Sequence, residues 1–245
     1  MPTYEQQIQL IPQLSFDDIL RICTERLPVR YRNIPWMYPG LDRGKALLED
    51  DGQACAYIVA YGEAHKKKLE QAFENFPYHI LQQGYEIIDW ACGQGLASVC
   101  FHDLIERLGR ISAPRKITLI EPSEFTLARA KASVTQAYSA YSTKIETKCA
   151  YLPAESKVPG EVIEHIDVTS PVCIHFFSNI LDIESVNLKG LANVIGETIG
   201  NHFIMCMGPT VNAPRLDAFS RYFDLDADAL MQDFYTIELG YYPNG

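Results

Sequence analysis

Apolar residues recur at helical spacing through the first third of the chain, then give way to short strand-like blocks. Ser15-Phe16-Asp17-Asp18 reads as a capping box and predicts a helix through about Leu27. Pro28, Pro35, Pro39 and Gly40 punctuate a loop that carries Tyr31, Trp36, Met37 and Tyr38. Cys55, Ile58, Val59, Gly62, Leu69 and Phe73 fall on one helical face, which predicts a helix from about Gln53 to Asn75, closed by Pro77. Residues 1–80 therefore read as a helical N-terminal extension or lid, and residues 81–245 as the main domain.

From Tyr85 the period changes. Glu86 to Trp90 is a short apolar run with β-branched residues that ends in a glycine-containing turn. Leu96, Val99, Cys100, Leu104 and Leu108 then mark a helix face. Lys116 to Ile120 predicts a second strand, and Ser123 opens a helix with Leu127, Ala130 and Val134 on one side. Further strands are expected at Ile145–Ala150, Val172–Phe177, His202–Met207 and Phe234–Tyr241, with a helix over Val186–Ile199. Strands alternating with helices predict a doubly wound, mainly parallel α/β sheet.

The chemistry concentrates where the first strand ends. Asp89-Trp90-Ala91-Cys92-Gly93-Gln94-Gly95 joins a buried strand to a helix. Small residues at Ala91, Gly93 and Gly95 let the backbone turn sharply and approach a ligand. The helix N-terminus behind them offers free N–H donors. Glu121 ends the second strand, where a carboxylate can accept both hydroxyls of a ribose.

The segments EIIDWACGQG and ITLIEPSEFTLARA resemble the first two nucleoside-binding motifs of class I S-adenosylmethionine-dependent methyltransferases. Ala91 stands where the family's first glycine is usual. The resemblance implies a Rossmann-like methyltransferase sheet with S-adenosyl-L-methionine over the carboxyl ends of its first strands. It implies that Asp89, Ala91, Gly93 and Gly95 line the methionine end, with Asp89 accepting from the ammonium directly or through water. It further implies that Glu121 holds the ribose with Pro122 beside it, and that Ala150, Tyr151 and Leu152 lie near the adenine. Cys92, in the same loop, and Ser178, at the end of the fourth strand, join the cofactor-binding set. The Gly-x-Gly-x-x-Gly fingerprint of nicotinamide enzymes is missing.

In this family the end of the fourth strand faces the transferable methyl group. Ser178, Asn179 and Asp182 are the polar groups there. Asn179 orients an acceptor and Asp182 takes a proton, or else Asn179 caps a turn and Asp182 opens the next helix. The base-methylation signature of Asn/Asp-Pro-Pro-aromatic is absent. His175 reads as a hydrogen-bonded core histidine, whereas His102 and Asp103 are expected to face solvent.

Charge narrows the acceptor. The formal net charge is -10, and residues 169–245 carry 3 basic against 9 acidic side chains. That balance suits a small molecule or protein better than nucleic acid. Seven cysteines without a CxxC pair favour free thiols in a reducing cytoplasm, and no metal ligation is expected. No leader pattern or membrane-spanning run is present. The chain ends in Pro243-Asn244-Gly245, a hairpin-turn signal, with no last antiparallel strand after it. Either the sheet stops there or the sequence belongs to a longer polypeptide with a downstream domain. A non-catalytic methyltransferase-like interaction module is the rival reading, and aminopropyl transfer a third.

Overall fold

The computed structural model describes residues 2–42, 45–74, 76–109, 112–181, 183–198, 200–208, 213–223 and 234–239. Three helices precede the sheet: α1 (Tyr4–Ile8), α2 (Phe16–Arg26) and α3 (Asp51–Glu74). Ser15 caps α2 as expected, accepting from Asp18 N–H while the Asp18 carboxylate accepts from Ser15 N–H. The sheet and its helices then alternate: β1 (Tyr85–Trp90), α4 (Leu96–Leu108), β2 (Lys116–Ile120), α5 (Glu124–Ala137), β3 (Lys144–Lys148), β4 (Val172–Ser178), α6 (Leu188–Gly196), β5 (Asn201–Met207), α7 (Ala213–Arg221) and β6 (Phe234–Leu239).

The strand order is β3-β2-β1-β4-β5-β6. The first five are parallel, and β6 pairs antiparallel with β5. This is a doubly wound, Rossmann-like sheet. The sixth strand is the antiparallel one of the described sheet, and the turn expected at Pro243-Asn244-Gly245 lies outside the described residues. Apolar patterning shows that residues 234–239 form a strand but reads the same in either direction.

Both faces of the central strands are buried, which is why β1 and β4 read as near-continuous apolar runs. Alternation sends Ile87, Ile174 and Phe176 to the face covered by α3, α4 and α5. It sends Ile88, Trp90, Cys173 and Phe177 to the face covered by α6 and α7. Each such side chain contributes roughly 1.5–3 kcal/mol by leaving water. The outer edge, β3, is half-buried, and its Lys144 pairs with Glu146 at 2.5 Å.

Arg129 of α5 ties the N-terminal helices to this core. It is 1% exposed. Its guanidinium donates to Gln94 Oε1 at 2.9 Å and Asp51 Oδ1 at 2.6 Å, and lies 3.6 Å from the centre of the Tyr4 ring. It also reaches Cys23 and Cys55 Sγ, each at 3.6 Å. His102 does not face solvent as expected, and Asp103 does so only in part. His102 is 3% exposed with its ring against Tyr138, and Asp103 accepts from Phe16 N–H at 2.9 Å. The extension covers that side of α4, a contact that helix periodicity within α4 does not reveal. Among the described residues, no helix is long and apolar enough to cross a membrane.

Candidate functional site

A cavity of about 330 Å³ opens at the carboxyl ends of β1, β2 and β4. The connections that leave the neighbouring strands β1 and β4 run to opposite halves of the sheet here, the position where open α/β sheets hold ligands.

The turn after β1 forms one wall. Ala91 (φ 47°), Gly93 (φ 53°) and Gly95 (φ 77°) all take left-handed conformations. Gly95 caps α4, and a Cβ there would sit 2.9 Å from Val134 Cγ2, so glycine is required both by the backbone and by α5. A Cβ at Gly93 would meet nothing within 4 Å, because that residue faces the open cavity. The loop is held from within: Cys92 N–H donates to Ile120 O at 2.9 Å and Gly95 N–H to Cys92 O at 2.8 Å. Cys92 is a part-buried turn residue packed against the core, and burial pushes its thiol well up.

Ala91 carries the strain that the sequence departure introduces. A left-handed non-glycine residue costs roughly 1–2 kcal/mol, part of which glycine returns as chain entropy. Ala91→Gly is expected to raise stability by up to about 1 kcal/mol, read as a higher urea midpoint. A lower midpoint would show that the Ala91 methyl packs usefully against the second core face.

Glu121 forms the floor. It is 7% exposed and accepts from Gly93 N–H at 3.0 Å through one oxygen and from Ser123 N–H at 3.1 Å through the other. Burial pushes its carboxyl up, against the opposing pull of those N–H groups and the Thr126 hydroxyl. Ser123 Oγ donates to Leu48 O at 2.8 Å, which fixes the segment before α3 over the same floor.

The structure brings Ala91, Gly93, Glu121, Pro122, Tyr151, Leu152, Ser178 and Asn179 to one cavity. Asp89, Cys92 and Gly95 are not among its lining residues. Asp89 is 1% exposed and turned beneath the first turn of α4, where Ser98 donates to Oδ2 through N–H at 3.3 Å and Oγ at 2.7 Å. Strand alternation places it on the face opposite Trp90. Its other oxygen is buried with no hydrogen-bond partner. Asn179 is left-handed (φ 56°) and its N–H donates to Met207 O at 2.7 Å. Asp182 lies outside the described residues.

Sequence reading missed the remaining walls. Lys45 to Leu48 and Tyr57 close the cavity from the extension, and Ile180, Ile183 and Val186 line it beyond β4. The run Ala46-Leu47-Leu48 between charged residues was an available signal. Tyr151 is seated by a parallel bridge to Val162, with Tyr151 N–H on Glu161 O at 2.7 Å.

No protein-family model matches the chain, and no curated protein matches it. Solved structures overlap it in layout. A Listeria monocytogenes protein described as a class I S-adenosylmethionine-dependent methyltransferase is 11% identical, covers 86% of this chain and 59% of its own, and has a TM-score of 0.42. A Pseudomonas syringae methyltransferase is 14% identical over 71% of this chain and 96% of its own, with a TM-score of 0.40. An RNA methyltransferase from Pyrococcus horikoshii is 10% identical over 65% and 67%, with a TM-score of 0.39. Against four others the chain spans 53% to 57% of their length. These likenesses describe layout only.

Proposed function

We propose that the chain binds S-adenosylmethionine in this cavity and transfers its methyl group to a small-molecule or protein acceptor. The observation that carries the proposal is Glu121 at the cavity floor, joined to the left-handed loop by Gly93 N–H. Each Glu121 oxygen retains a lone pair, so the carboxylate can accept two vicinal hydroxyls while holding the loop. The open space over Gly93 gives the ligand close approach to backbone. Pro122, Tyr151 and Leu152 supply apolar surface for a base.

When bound, the cofactor supplies an electrophilic methyl group. The protein aligns an acceptor and excludes water, which an in-line displacement needs more than strong acid–base help. Ser178 and Asn179 orient the acceptor, and Lys45 attracts an anionic group to the same cavity. The net charge of -10 argues against a nucleic-acid acceptor. Seven unpaired cysteines suit a reducing compartment such as the cytoplasm.

Calorimetric titration with S-adenosylhomocysteine tests the cofactor. Wild type is expected to bind in the micromolar range. Glu121→Ala loses charged hydrogen bonds worth about 3 kcal/mol, or roughly 100-fold in affinity. Wild type that fails to bind at millimolar ligand sinks the proposal. A second reading, a non-catalytic module, is favoured by the neutral Ser178–Asn179 end of the cavity. Cofactor affinity without turnover on any acceptor would select it.

A further inference from the structure

The face of the sheet under α6 holds a group of side chains that packing alone does not explain. Cys173 and His175 lie two residues apart on β4 and share that face. His202 sits directly opposite Cys173 on β5. Their exposures are 0%, 0% and 2%. Among the described residues this is the group of three whose ligating atoms all lie within 4.8 Å of one another. Two imidazoles inside an apolar core cost more than the aliphatic residues that surround them.

Their hydrogen bonds define where the protons are. An indole N–H can only donate, so Trp90 Nε1, 3.0 Å away, makes His175 Nδ1 an acceptor. His175 then carries its proton on Nε2 and donates it to His202 Nδ1 at 2.9 Å. His202 in turn carries a proton on Nε2, facing Thr198 Oγ1 at 3.1 Å, and the Thr198 hydroxyl donates to Ile195 O at 2.7 Å. A single proton therefore lies between the two rings, beside a thiol. An imidazole whose outer N–H is fixed by a hydroxyl and a carbonyl has the orientation required of a metal ligand.

We infer that Cys173 Sγ, His175 Nε2 and His202 Nδ1 form a binding site for one divalent transition-metal ion of the zinc type. Thiolate and imidazole donors suit that ion. Three bonds to the ion form, the Cys173 S–H and His175 Nε2–H bonds break, and two protons pass to solvent. The resulting thiolate and imidazolate balance the divalent charge, which a buried site requires. Trp90 N–H remains as the hydrogen-bond donor to the imidazolate. Tetrahedral bonds of about 2.0–2.1 Å place two nitrogens roughly 3.4 Å apart, so the rings separate by a few tenths of an ångström. A cavity of about 310 Å³ lined by Asn193, Glu197, Thr198 and His202 reaches one of the three ligands, His202, from outside. The site lies apart from the cavity at Glu121 and does not depend on the cofactor reading.

The test uses the full chain, stripped with a chelator and reloaded with zinc or cobalt. Wild type is expected to retain about one equivalent of zinc through gel filtration. Its cobalt form should show a thiolate-to-metal charge-transfer band. Cys173→Ser and His202→Gln should each weaken zinc binding by more than the roughly 10–100-fold that loss of an outer-shell partner of a ligand costs, and Cys173→Ser should remove the band. Equal zinc retention by wild type and folded Cys173→Ser overturns the site. If a variant does not fold, the wild-type cobalt spectrum decides, and the absence of a thiolate band overturns the site equally.

Discussion

Asp89→Asn is expected to make the protein more stable at pH 8, with the gain vanishing toward pH 4. Asp89 is fully buried on the underside of the loop, and desolvation raises its carboxyl from 3.8 to about 7, with Glu121 adding to the rise and Ser98 opposing it. Between those two values the folded chain holds a proton that the unfolded chain releases. Asp89 therefore contributes stability that is complete below pH 3.8 and is lost as pH rises through about 7. At 1.36 kcal/mol per pH unit the full loss is on the order of 4 kcal/mol, an upper bound. Asparagine keeps an acceptor for Ser98 and removes the charge. Urea midpoints at pH 4, 6 and 8 check this. A gap of constant size, or a less stable variant at pH 8, would show that the carboxylate is solvated or paired in the folded protein.

Arg129→Ala is expected to cost about 2–3 kcal/mol, chiefly because the buried Gln94 carboxamide oxygen loses its donor and the packed arginine stem is removed. Four partners lose their donor at once: Asp51, Gln94, Cys23 and Cys55. Asp51 keeps Arg26 at 2.8 Å and is 40% exposed, so it recovers part of its loss. Gln94 does not, because its carboxamide is buried and its Nε2 is committed to Ala54 O at 3.0 Å. Arg129→Lys should recover only a fraction, since an ammonium cannot serve partners spread around a guanidinium plane. Chemical denaturation measures both variants. A loss below 1 kcal/mol for Arg129→Ala would mean that the N-terminal helices are held by apolar contacts and their other hydrogen bonds, such as Phe16 N–H to Asp103, without need of Arg129.

Local pattern made the strands, the glycine loop and Glu121 legible, because each depends on a short run of residues. Trp90 to Ile120 and Glu121 to Ser178 needed only the order of strands to come together. The rest was set by partners far away in sequence. Arg129 looks like any charge on a helix until residues 35 to 78 positions distant supply Gln94 and Asp51. His102 reads as exposed until Tyr138 and Tyr141, which follow α5, pack against its ring. The line from Trp90 to Thr198 exists only through the register of β1, β4 and β5. α1 is five residues long, too short for a period to show.

The open edge at β3 has a consequence for self-association. An unpaired strand is a template on which another chain can add. Here that strand is only five residues long and carries Lys144, Glu146 and Lys148 in alternation. A second copy laid alongside in parallel register would set like charges opposite each other, and a partner strand would have to match three alternating signs. Among the described residues, the edge is thereby guarded against fibre-like stacking by its own charge pattern.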